Sequence, residues 1–177
     1  MCYPEVDGRQ FIDYFQTGVK INDSNLIYLH QDINNKYSQE YVKNTNILKT
    51  NIENTYFNLK IEQTDFALID QNIIVKKYIF KNNNSVDLDT KFIINSKILS
   101  NDLERFGSRI IDKGIIQYNH NYAMAIFSNK NLYGHKLNDV QSTLQSAVIV
   151  DKDYIGMSNE IAISYDIGVI HSGEQQE

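Results

Sequence analysis

Across its 177 residues the chain sets 17 Lys and Arg against 22 Asp and Glu, a net charge of −5, and its basic residues are scattered. That balance excludes a sequence-independent nucleic-acid binder, which needs clustered cations for the phosphate backbone. A hydrophobic fraction of 42% with charges of both signs excludes a disordered chain and suits one globular domain spanning residues 1–177.

Cys2 is the single cysteine, so no intrachain disulfide can form. No stretch approaches the roughly 20 apolar residues of a spanning helix, and the N-terminus lacks a basic segment followed by an apolar one. The expectation is a cytoplasmic protein with no membrane partner.

In chain order, Gln10 to Thr17 reads as one or two helical turns around Phe11, Tyr14 and Phe15, with Gly18 as a stop. From Asn25 the pattern changes to short runs rich in β-branched and aromatic residues between polar clusters, which predicts strands. The runs are Leu26 to Leu29, Tyr41 to Lys49, and Ile52 to Phe66. Ile73 to Lys81 follows and ends at Asn82-Asn83-Asn84-Ser85, residues that tolerate left-handed conformations and mark a hairpin turn.

Val86, Leu88, Thr90, Phe92 and Ile94 then alternate with Asp87, Asp89, Lys91, Ile93 and Asn95, the clearest period of two in the chain. Ser100 to Gly107 carries a cap, a short turn and a terminal glycine, and reads as a second brief helix. Further strands are expected over Arg109 to Gln117, Tyr122 to Ser128, Leu132 to Lys136, Thr143 to Asp151 and Glu160 to Ile170. About ten strands with short connections predict an all-β antiparallel β-sandwich, supersandwich-like, with one or two short helical turns. His171 to Glu177 reads as a turn whose following strand is unwritten, as in a piece of a longer protein.

Chemistry is sparse. His30, His120, His135 and His171 fall in separate segments, so no metal and no other cofactor is assigned. No G-x-S-x-G elbow or Gly-rich phosphate loop exists. The carboxylates Glu5, Asp7, Glu53, Glu62, Asp65 and Asp70 are explained by solvated strand faces and turns. Tyr14, Phe15, Tyr28, Tyr37, Tyr41, Tyr56 and Phe57 have the aromatic surface to stack on sugar rings, although core or sheet-surface packing is the better reading of each. No catalytic residue is assigned.

Taken in order, Tyr3 to Gln10, Gly18-Val19 before Asn25 to Tyr28, Tyr41 to Thr50, Asp65-Phe66 and Ile74 to Asn82 resemble the N-terminal domain of bacterial glucoamylase-type enzymes, glycoside hydrolase family 15. The likeness covers residues 3 to 95 and extends loosely through Gly134-His135 and Asp166-Ile167-Gly168. It implies an antiparallel β-sandwich joined to a C-terminal (α/α)6 barrel holding two catalytic glutamates, so the partner is a catalytic domain of the same polypeptide and the substrate an α-glucan hydrolysed with inversion. It also implies a barrel-facing loop comprising Tyr3, Pro4, Glu5, Asp7 and Arg9. Lys76 stands where the family pattern leads one to expect arginine. The alternative is a free-standing carbohydrate-binding β-sandwich.

Overall fold

The computed structural model describes residues 5–6, 9–99, 105–120 and 122–177. In chain order the strands are β1 (Glu5–Val6), β2 (Arg9–Gln10), β3 (Ile12–Ile21), β4 (Ile27–Tyr28), β5 (Asn35–Tyr41), β6 (Leu48–Asn54), β7 (Leu59–Ala67) and β8 (Ile74–Asn82). They continue with β9 (Leu88–Ile98), β10 (Phe106–Ile111), β11 (Gly114–Asn119), β12 (Tyr122–Phe127), β13 (Leu132–Lys136), β14 (Ile155–Gly156), β15 (Glu160–Ile170) and β16 (Gln175–Gln176), with one short helix, α1 (Val140–Leu144), after β13. The protein is an all-β antiparallel sandwich.

Two compact units share the chain. The first comprises Met1–Tyr28 with Lys91–Asp166, and the second Leu29–Thr90 with Ile167–Glu177. In the first unit lie a five-stranded sheet of order β13-β15-β9-β3-β4, a four-stranded sheet of order β12-β11-β10-β14, and the β1-β2 hairpin. The four-stranded sheet reaches the other where the Gln117 amide of β11 donates to the Asn159 carbonyl, just before β15, at 3.2 Å. Ile21, Ile98, Ile115, Leu137, Ile161 and Ile163 are fully buried there. Helix α1 buries Val140 and Leu144 against Ile93 and Ala162, one face of the central strands. Its own sequence is too short to be a stable helix in water, so this packing holds it.

The second unit is built on the sheet β16-β8-β7-β6-β5, whose strands β5 to β8 form a meander in unbroken antiparallel register. Ile52, Leu59, Ile61 and Phe80 occupy its buried face, while Lys49, Glu53, Lys60, Glu62, Lys77 and Lys81 stand on the other. Asn82 supplies the polar anchor of this unit. Its buried amide donates to the carbonyls of Val86 and Ile170, both at 2.8 Å, and its Oδ1 accepts the Asn84 N–H.

Several expectations require correction. Gln10 to Thr17 is strand, not helix: the aromatic spacing that imitates a helical face belongs to β3, and Gly18 is needed because a Cβ there would stand 2.8 Å from the Ile27 carbonyl oxygen of the neighbouring strand. Thr143 to Asp151 is not a strand, because its first residues complete α1 and the remainder is irregular. The runs Tyr41 to Lys49 and Ile52 to Phe66 are each broken by a turn, at Val42–Ile47 and Thr55–Asn58, and Arg109 to Gln117 folds back at Asp112-Lys113. Of the second expected helix, Ser100–Glu104 lie outside the described residues, while Phe106 and Gly107 open β10. The segment after β15 is more than a turn, since Gln175 and Gln176 pair with Lys81 and Phe80.

Candidate functional site: a cleft beside strand β13

The first unit contains a cleft of about 400 Å³ that follows from a local irregularity in β13. Leu132 pairs with Tyr165 and Gly134 with Ser164, so Tyr133 is an extra residue, a bulge. Bulges re-aim side chains, and the Tyr133 ring is 63% exposed. Lys91 Nζ lies 5.1 Å from the centre of that ring and pairs with Asp166 at 2.9 Å. A cation over the ring fixes its orientation.

Gly134, next along, admits the opposite wall. A Cβ at this position would stand 2.0 Å from the Ile149 carbonyl oxygen, so only glycine lets residues 149–154 lie against β13. That wall is held in shape by Asp151. Its Oδ1 accepts the N–H groups of Lys152 (2.8 Å) and Asp153 (3.2 Å), and its Oδ2 accepts that of Leu137 (3.2 Å). Burial alone would raise the carboxyl's pKa, but these backbone donors outweigh it and hold it below the usual carboxylate range.

His135, 8% exposed, points its Nε2 at the Asp153 carbonyl at 2.8 Å. A carbonyl can only accept, so Nε2 carries the hydrogen. Tyr154 packs on the imidazole with ring centres 5.2 Å apart and remains 64% exposed. Its carbonyl accepts the Ile110 N–H at 2.8 Å, which fixes the loop to β10. Ile110, Ile111 and Asp112 close the third side. The cleft thus presents two exposed aromatic rings, a buried imidazole and the Asp112 carboxylate, with no lysine or arginine in its lining. Asp151 is committed to backbone donors and Asp112 is exposed.

A second polar cluster of this unit joins three neighbouring strands. The Glu160 carboxylate accepts from the Tyr14 hydroxyl, the Gln141 amide, and Asn95 Nδ2 at 3.1 Å. Burial, then the hydrogen bond to Glu160, pushes the Tyr14 hydroxyl's pKa well above its ordinary value. Burial, then the Glu160 charge, raises that of Tyr28. Tyr14, so far from ionising, serves as a neutral donor that fastens β3 to β15, with Gln141 of α1 joining the same carboxylate.

Of the sequence candidates, Tyr3, Pro4 and Asp7 lie outside the described residues, while Glu5 and Arg9 fall in the β1-β2 hairpin. Glu53 and Glu62 are exposed on the outer face of the second unit's sheet, with Glu62 paired to Lys60. Asp70 occupies an exposed left-handed turn position. Asp65 is buried against Lys76. His30 and His120 are exposed, and His171 pairs with Asp87. Tyr37 and Tyr41 share one side of the exposed strand β5, whereas Tyr56 and Phe57 meet edge to face in the β6-β7 turn. Among the described residues no group of three or more His, Cys, Asp or Glu could hold a metal ion. Tyr133, Tyr154 and Glu160 went unread in the sequence, since no local spacing links them.

No family model matches the chain. Over 96% of its length it is similar, at 24% identity, to an uncharacterized glycosyl hydrolase of Methanocaldococcus jannaschii, and it spans 28% of that protein. The chain is thus an all-β sandwich with a glycosyl hydrolase among its relatives.

Proposed function

We propose that this chain is a non-catalytic sandwich domain of a glucoamylase-like, family 15 glycoside hydrolase acting on α-glucans, packing against and supporting a helical catalytic barrel of the same polypeptide. The observation that carries the reading is the likeness of almost the whole chain to just 28% of a glycosyl hydrolase, which leaves most of that relative for other domains. The segment order from Tyr3 to Asn82 supports the family and the N-terminal position. Inverting hydrolysis needs an acid and a base on opposite sides of the bond, about 6.5–9.5 Å apart, and of the two carboxylates lining the cleft Asp151 is already taken up by backbone donors.

The test compares glucose release from maltooligosaccharides by residues 1–177 alone and by the full polypeptide that carries them. No release by the former and turnover by the latter is expected. Catalytic turnover by residues 1–177, or a full polypeptide inert on every α-glucan, overturns the reading.

A further inference from the structure

We infer that the cleft between Tyr133 and Tyr154 is a binding site for a pyranose ring of an α-glucan. The inference rests on the proposed function for the class of sugar. The site itself rests on geometry.

Three features specify the ligand. First, both tyrosines are about two-thirds exposed although each is held, Tyr133 by its bulge and Lys91, Tyr154 by His135 and the bond of its carbonyl to Ile110. Rings immobilised before binding lose little freedom on contact, and an aromatic face matches the apolar C–H face of a sugar. Lys91 lies over the Tyr133 ring, 5.1 Å from its centre, and the residue stays 63% exposed. Second, the lining has Asp112 and Asp151 and no cation, and Lys91 beside it is paired with Asp166, which disfavours phosphates and carboxylates. Asp151 is already bonded to backbone N–H groups and the imidazole to the Asp153 carbonyl, so Asp112 and the tyrosine hydroxyls remain as a sparse set suited to neutral hydroxyls. Third, a volume of about 400 Å³ falls at the small end of ligand sites, enough for one ring with neighbouring residues of a chain outside.

The walls are also expensive to build, which a passive surface would not require. Gly134, the bulge and the Asp151 turn are separate devices, and together they hold one concavity open.

The test is a titration of residues 1–177 with maltotriose and, in parallel, cellotriose, followed by amide chemical shifts. Expected are shifts centred on Ile110–Asp112, Leu132–His135 and Ile149–Tyr154 with maltotriose, roughly millimolar affinity, and weaker binding of cellotriose. Tyr133→Ala and Tyr154→Ala should each weaken binding about fivefold, Tyr154→Phe, which keeps the ring and loses the hydroxyl, should weaken it less, and Tyr41→Ala, on the other unit, leaves it unchanged. The melting temperature of each variant confirms folding. Maltotriose shifts confined to other residues, or none at all, overturn the site; turnover of α-glucans by the full polypeptide would then leave the proposed function standing. Equal binding of the two sugars overturns the α-glucan assignment.

Discussion

Lys76 and Asp65 stand directly opposite each other on β8 and β7, with Nζ 3.0 Å from Oδ1, while the carboxylate's second oxygen accepts the Gln63 amide at 2.6 Å. Both side chains are largely buried, so each charge depends on the other. Asp65→Ala should lower stability by about 2 kcal/mol, less than for a fully buried pair because water still reaches Lys76. Urea unfolding of both single variants and the double variant checks this: the double should cost less than the sum. Lys76→Arg, which keeps the positive charge opposite Asp65, should be tolerated.

Gly134 and Gly173 offer a paired test of why each glycine is present. Gly134→Ala puts a methyl against the Ile149 carbonyl and should cost about 3 kcal/mol through overpacking. Gly173 has φ +81° with open space around it, so Gly173→Ala meets backbone strain alone, about 1 kcal/mol. Thermal melts should rank the two in that order.

Asn82 is fully buried with both amide hydrogens and its oxygen engaged. Asn82→Leu strands the Val86 and Ile170 carbonyls and should cost about 3 kcal/mol. Asn82→Asp should be no better, since an ionised carboxylate cannot donate to either carbonyl. Chemical unfolding with hydrogen exchange around Asn84 tests both.

The His171–Asp87 pair predicts a pH dependence with a definite sign. The hydrogen bond from Nδ1 to the carboxylate at 2.8 Å, then its charge, raises the pKa of His171, and the same bond lowers that of Asp87. A raised histidine stabilises the fold fully below its unfolded pKa and loses that contribution as pH rises through the folded one. A lowered carboxyl stabilises above its unfolded pKa and loses its share as pH falls through the folded value. The pair therefore contributes most at mildly acidic pH. Both groups are solvent-exposed, so the readout is the imidazole itself: proton NMR titration should show the His171 midpoint falling toward 6.5 in Asp87→Asn.

Much of the strand content was legible because burial in sheets imposes a period of two. From Leu88 to Lys91 the alternation is as written; beyond it β9 is buried on both faces, which is why Ile93 and Asn95 break the pattern. The helical reading of Gln10 to Thr17 failed because Phe11, Tyr14 and Phe15 have helical spacing but their neighbours in the fold are strands. Helix α1 was hidden by its length, and the run Ala147 to Val150 resembles a strand although Ala147 takes a positive φ of 53°. The cleft was illegible for a different reason. Tyr133 and Tyr154 meet through a bulge and a glycine contact, and nothing in local sequence distinguishes them from other tyrosines.

Neither compact unit is an unbroken stretch of chain: the first waits for residue 166 and the second for residues after it. A ribosome working at about 5–20 residues per second therefore leaves the early strands without their partners for several seconds. During that interval the meander of β5 to β8 can pair locally, whereas β3 must persist without β9. Such delayed, long-range closure makes slow folding the natural cost of threading one polypeptide twice through each unit.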